Sequence, residues 1–203
     1  MNFARLYRDF WRLSLALKTG GHVDDELSSL ILSIEDRRFA LHPGFDALAI
    51  FRAGVSRSSE ARGGASTITM QFVRLVCHRR ERTLRRKVRE TAMAWWLTRK
   101  SDRSAIFAAY IRNAYFGFEL RGVEQAARAM FEKGVAECTR EEKAKLAALL
   151  RYPRPKEPSV EWQGKVFRRA QLALERTSAI EGSKLWQQAM RDTTIPGTQY
   201  LTQ

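Results

Sequence analysis

The stretch Glu35 to Gly44, EDRRFALHPG, decides how this chain is read. It closes the segment DDELSSLILSIEDRRFAL, which opens on acidic residues suited to a helix cap and carries Leu27, Leu30, Ile31 and Ile34 along one face. His42-Pro43-Gly44 then breaks the helix, since proline and glycine disfavour its continuation. Glu35 and Asp36 are neighbours, so on a helix their carboxylates point about 100° apart. One can face a cleft while the other serves structure. Equally, the two acids could be a solvated pair balanced by Arg37 and Arg38.

Outward from this stretch almost everything reads helical. Helices fit DALAIFRAGVSR, Thr67 to Val76, about Glu81 to Lys100, SDRSAIFAAYIRNAY, GVEQAARAMF, TREEKAKLAALL and Glu161 to Thr177. No strand pair and no internal repeat stands out. Ser56 to Ser66, SRSSEARGGAS, reads as a mobile loop, and RYPRPKEPS as an extended connection. The expected fold is mainly α. Its expected organisation is an amphipathic segment at 1–22, a central domain at 23–180 and a C-terminal helix and tail at 181–203.

Three further clusters could carry chemistry. In RGGASTITMQ, Arg62 to Gln71, two glycines precede three hydroxyls at a helix start. That pattern can present N–H groups and hydroxyls to an anion, or it can be a loop with Ser66 as N-cap. From Arg74 to Glu90 there are eight Lys or Arg against two Glu. Arg86, Lys87 and Glu90 fall on one helical face, either as a phosphate site or as a solvated basic face. In TAMAWWL, the residues Ala92, Met93, Trp95, Trp96 and Leu97 are expected in the core, and Tyr110 to Phe131 is expected to serve close helix packing.

The 203 residues suffice for one cored domain. A formal charge of +14 points to nucleic acid, an anionic membrane or a phosphorylated substrate. Cys77 and Cys138 have no metal spacing and make no disulfide framework, so they are expected to be buried thiols. No stretch approaches the roughly 18 to 20 apolar residues that span a bilayer, and no signal-peptide pattern is seen. In FARLYRDFWRLSLAL, the residues Phe3, Leu6, Tyr7, Phe10, Leu13 and Leu17 recur at helical spacing, with Trp11 widening the face. This helix could lie in a membrane interface or pack on the domain.

The order of these segments is more specific than any one of them. EDRRFALHPGFD, GASTITMQ, RTLRRKVRETAMAWWLTRK, AIFAAYIRNAYFG and TREEKAKLAALLRYPRPKEPS resemble the successive motifs of peptidoglycan glycosyltransferases, from about Leu27 to Arg169. These are the lysozyme-like domains of class A penicillin-binding proteins and of monofunctional transglycosylases. The resemblance implies a two-lobed α fold with a smaller membrane-facing lobe. It implies inverting polymerisation of lipid II, a lipid-linked disaccharide precursor, with undecaprenyl pyrophosphate leaving. By the same resemblance Glu35 is the general base, and Glu90 is the second, donor-side glutamate, where a divalent metal such as Mg is expected to assist. Arg74, Arg86 and Lys87 would bind the pyrophosphate. Gly64, Ser66, Thr67 and Gln71 match the donor-site motif, while Asp36, Phe39 and His42 would brace the Glu35 loop.

The implied location is peripheral, at the outer face of the inner membrane. The implied partners are an anionic membrane surface and other wall-synthesis proteins, with no nucleic acid. Met70, Leu75, Arg74, Ala108 and the Arg112-Asn113 pair depart from the usual motif residues, and these changes read as donor-side. Two other functions fit the same motifs: a weakened relative that binds precursor or a synthase and regulates wall assembly, and a lysozyme-like effector that cleaves glycan.

Overall fold

The computed structural model describes residues 3–18, 23–55, 66–77 and 83–181. Gly64, and most of the loop expected to be mobile, lie outside the described residues, as does the tail 182–203. The described helices are α1 (Phe3–Leu17), α2 (Asp25–Glu35), α3 (Ala47–Val55), α4 (Ile68–Val76), α5 (Leu84–Lys100), α6 (Arg103–Asn113), α7 (Val123–Phe131), α8 (Arg140–Leu149) and α9 (Val160–Glu181). Between α6 and α7 lies an antiparallel pair, β1 (Tyr115–Gly117) and β2 (Leu120–Arg121). That pair corrects the expectation that no strand pair occurs. Gly117 also bridges to Arg154, so the proline segment lies alongside β1.

Local chemistry sets the helix starts. The Asp24 carboxylate accepts from Leu27 N at 2.8 Å, and the Thr83 hydroxyl accepts from Arg86 N at 3.2 Å. At α8, Thr139 and Glu142 satisfy each other's backbone N–H groups in a capping box. The cap of α4 is Thr67 rather than Ser66: its Oγ1 accepts from Met70 N at 3.2 Å. Ser66 is thereby left available to side chains.

α2, α8 and α9 pack on one another, and α4 packs against both α5 and α6. Leu27, Leu30 and Ile31 of α2 are fully buried, with Ile34 nearly so, which is the face the spacing predicts. Buried Lys143 of α8 reaches Asp24 at 2.9 Å and Glu26 at 3.0 Å, which fixes the start of α2. Trp162 of α9 donates to the carbonyls of Tyr152 and Pro153, both at 3.1 Å, and so holds the proline segment. Cys77 and Cys138 are both buried.

α1 packs against α4 and α6 through one face and leaves another exposed. Leu13 is fully buried, Phe10 stacks edge-on against Trp96 at 4.4 Å, and buried Asp9 pairs with Arg89 of α5 at 2.7 Å. Tyr7, Trp11 and Leu15 form the exposed row. In α5 the expected core assignment holds for Met93 and Leu97, and Trp96 is half-buried. Ala92 and Trp95 are instead exposed, and the Arg99 guanidinium lies 4.1 Å from the Trp95 ring centre.

Candidate active site

Glu35 ends α2 and Asp36 is its C-cap, so consecutive carboxylates leave the helix in different directions. Asp36 turns inward and is buried. Its two oxygens lie 2.9 and 3.0 Å from His42 Nε2, and Oδ2 also accepts from Ile68 N at 2.9 Å. The Gly44 N–H donates to His42 Nδ1 at 3.2 Å, which leaves Nε2 to donate to Asp36. Gly44 has φ +96°, and a Cβ there would lie 2.3 Å from the Ala94 carbonyl oxygen of α5. The backbone of the loop therefore rests directly on α5.

Other residues complete the loop's fixation. Thr67 Oγ1 donates to Gly44 O at 2.7 Å while capping α4. Phe39 is buried, with its ring centre 6.2 Å from that of Phe107. Arg103, at the start of α6, donates to Phe39 O at 2.6 Å and to His42 O at 2.7 Å. Asp36, Phe39, His42 and Thr67 are thus committed to internal contacts and hold the loop that presents Glu35.

Glu35 itself is half-buried. Its Oε1 accepts from Arg169 Nη2 at 2.8 Å, and the same nitrogen donates to Ile34 O at 2.9 Å. Its Oε2 lies 3.4 Å from Gln71 Nε2. The Gln71 carbonyl oxygen accepts from the Tyr110 hydroxyl at 2.8 Å. Burial first, and then the charge of Glu35, push the Tyr110 phenol well above its ordinary value, so it stays a neutral donor.

Glu90 is buried on α5. Arg74 reaches both its oxygens at 3.2 Å, and Arg86, one turn earlier, pairs with Oε1. Ser66 Oγ lies 3.3 Å from Arg74 Nη2 and 3.4 Å from Lys87 Nζ. Desolvation, with the Arg74 and Arg86 charges, lowers the Lys87 pKa, although Glu90 opposes the shift. Three cations thus crowd one carboxylate and one hydroxyl, a setting suited to an anionic ligand.

Ser66 also joins the two carboxylate sites, since its carbonyl accepts from Gln71 Nε2 at 3.4 Å. Gln71 faces Glu35 and Arg74 faces Glu90, three residues apart on α4. The sequence-expected residues Glu35, Ser66, Gln71, Arg74, Arg86, Lys87 and Glu90 therefore form one connected constellation. Among the motif departures, Met70 is fully buried and Ala108 nearly so. Of the departures, Arg74 is the one that touches Glu90.

A divalent cation is a poor fit to the side chains around Glu90. Both its oxygens are engaged by arginines, so an ion there would have to displace a guanidinium, and the three surrounding cations repel a further positive charge.

The profile of the Transglycosylase family matches residues 10–178. The chain belongs to that family. It is 35% identical over 139 residues to a Cupriavidus necator protein provisionally named a transglycosylase, covering 68% of this chain and 60% of that one. It is 35% identical over 160 residues to penicillin-binding protein 1A of Aquifex aeolicus, covering 78% of this chain and 21% of that one. Against penicillin-binding protein 1A of Escherichia coli it is 36% identical over 139 residues, 68% of this chain and 16% of that one. The matched region thus spans under two thirds of each relative. The mainly α, lysozyme-like fold is that of a transglycosylase domain, a peptidoglycan glycosyltransferase-like unit.

Sequence reading does not single out Arg169, Arg103 or Tyr110 as site residues. Arg169 lies inside the matched stretch but in a charged segment with no distinguishing spacing. Tyr110 falls in the stretch expected to serve packing; its burial agrees with that, and its hydroxyl adds a contact to Gln71.

Proposed function

We propose that this chain polymerises a lipid-pyrophosphate-linked disaccharide of the lipid II type by inverting glycosyl transfer. Glu35 takes the proton of the acceptor hydroxyl, whose oxygen attacks the donor's anomeric carbon. The bond from that carbon to the pyrophosphate breaks, and the electron pair leaves with the phosphate oxygen. Arg74, Arg86 and Lys87 offset the negative charge that develops on the leaving group. Glu90 holds the two arginines in place.

The observation that carries this reading is the shared α4 start. One segment, Ser66 to Arg74, presents an amide to a single base and a guanidinium to a cationic cluster. A hydrolase acting on finished glycan has no use for that cluster. The test is labelled lipid II in detergent, with products resolved on a gel. Wild type should yield glycan chains, and Glu35→Gln should not. Binding without product from wild type would replace the proposal with a precursor-binding regulator, and soluble fragments from purified sacculi would favour a glycan-cleaving effector.

We further propose that the chain works at the surface of an anionic membrane, on the face where lipid-linked precursor is polymerised. No described helix is long and apolar enough to cross a membrane. Exposed Tyr7, Trp11 and Leu15 on α1, with Leu84, Val88 and Trp95 on α5, provide aromatic and aliphatic contact beside several arginines. Tyr7→Ser with Trp11→Ser should reduce flotation with anionic liposomes several-fold, roughly the loss of two exposed aromatic contacts. Unchanged flotation would remove α1 from the membrane contact. Phe10 is unsuitable for this test because it stacks on Trp96.

A further inference from the structure

The two oxygens of Glu35 are held unequally. Oε1 accepts a charged hydrogen bond from Arg169 at 2.8 Å, and Arg169 Nη2 is fixed in turn by Ile34 O at 2.9 Å. A proton on Oε1 would put an O–H against a permanently charged guanidinium. Oε2 faces the neutral amide of Gln71 at the longer distance of 3.4 Å. Its lone pairs are the less engaged. Gln71 is also not at liberty to turn: its oxygen accepts from buried Tyr110, which leaves its nitrogen facing Ser66 O and Glu35. In the reversed orientation the amide oxygen would oppose the carboxylate, acceptor against acceptor.

Resting on the function proposed above, we propose that Oε2 of Glu35 is the oxygen that takes the acceptor's proton, and that Tyr110 is a positioning residue that aims it through Gln71. In the step, the acceptor O–H bond breaks, its proton goes to Oε2, and its oxygen bonds the anomeric carbon as the pyrophosphate departs. The Gln71 amide holds the ionised carboxylate so that Oε2 points toward the acceptor rather than into the protein. Tyr110 touches neither substrate nor Glu35; it fixes the amide that does the holding.

The test uses the full chain with Tyr110→Phe, Gln71→Ala and the double variant. Tyr110→Phe keeps the buried ring and removes only the hydroxyl, so the fold should persist, with melting lowered by no more than about 2–4 °C for one lost hydrogen bond. Its kcat on labelled lipid II should fall about tenfold, the scale of one lost buried hydrogen bond, with KM within about twofold. The double variant should lose no more than Gln71→Ala alone, because the hydroxyl acts only through the amide. Additive losses, or a wild-type kcat in Tyr110→Phe, would overturn the proposal. A second measurement needs no turnover: the Gln71 side-chain NH2 resonances should move in Tyr110→Phe and in Glu35→Gln. Resonances unmoved by Glu35→Gln would overturn the arm even if activity fell. An inactive wild type would count against the functional reading alone, since the resonances would still report whether the arm exists.

Discussion

The Glu35 and Glu90 sites contain the same kind of group and are built in opposite ways. Glu35 has one guanidinium on one oxygen and a distant neutral amide on the other, and both partners come from remote helices. Glu90 is buried deeper and is engaged by two arginines, one of them a single turn away on α5, with Lys87 beside them. A carboxylate that must accept a proton needs an oxygen whose lone pairs are only loosely held. A carboxylate enclosed by guanidinium groups is committed to them, and its use is to hold cations where an anion will arrive. The difference in partners thus separates a reactive role from an organising one.

The largest expected effect lies in turnover. Glu35→Gln should lower kcat by roughly 10² to 10⁴, the usual worth of a positioned base. Its melting temperature should stay near wild type, because a glutamine oxygen can still accept from Arg169. Glu90→Gln should lower stability as well as turnover, since Glu90 holds the two arginines that face the leaving group. It leaves Arg74, Arg86 and Lys87 facing one another over a single neutral oxygen, with the Arg74 side chain 38% exposed and that of Arg86 14% exposed. Solvent screening of Arg74 reduces the penalty below that of a fully buried pair, to about 2 kcal/mol, or a melting point lowered by about 4–8 °C. Turnover and thermal melts on the two variants decide it. If Glu90→Gln melts like wild type while Glu35→Gln does not, the assignment of roles is backwards.

The same contrast explains what could be read from the residues alone. Arg86 and Glu90 are four apart on one helix, so helical periodicity by itself places them together. Glu35 meets Arg169 across 134 positions and Gln71 across 36, and no local pattern encodes either contact. The expectation that Glu35 and Asp36 diverge follows from helix geometry and agrees with the structure. What Asp36 turns toward depends on how α2 meets α4, which is a tertiary fact. The hairpin escapes notice for a different reason. Its strands are too short to show alternation, and the turn at Phe118-Glu119 lacks the glycine or asparagine that marks tight hairpins, although Glu119 takes φ 58°. Trp95 shows the converse failure, since hydrophobicity alone places it inside while Arg99 covers its ring at the surface.

A smaller effect sharpens the picture of the cationic side. Burial and the neighbouring arginines lower the Lys87 pKa below its ordinary 10.5, so part of its charge is lost at alkaline pH before free lysine would lose it. A bound pyrophosphate favours the charged form and raises that pKa again. Binding is therefore coupled to proton uptake between the two values, and affinity must fall as pH climbs through the lower one. The sign is opposite for folding: a lysine whose pKa is depressed by folding is protonated more readily in the unfolded chain, so its contribution favours the folded state as pH rises. Inorganic pyrophosphate titrated by calorimetry from neutral to alkaline pH should show the loss of affinity, about tenfold or less for a single lysine among three cations. Lys87→Arg should hold its charge across the range and flatten the dependence. A pH dependence identical in wild type and Lys87→Arg would belong to the pyrophosphate or another group, and Lys87 would then have no titrating part in binding.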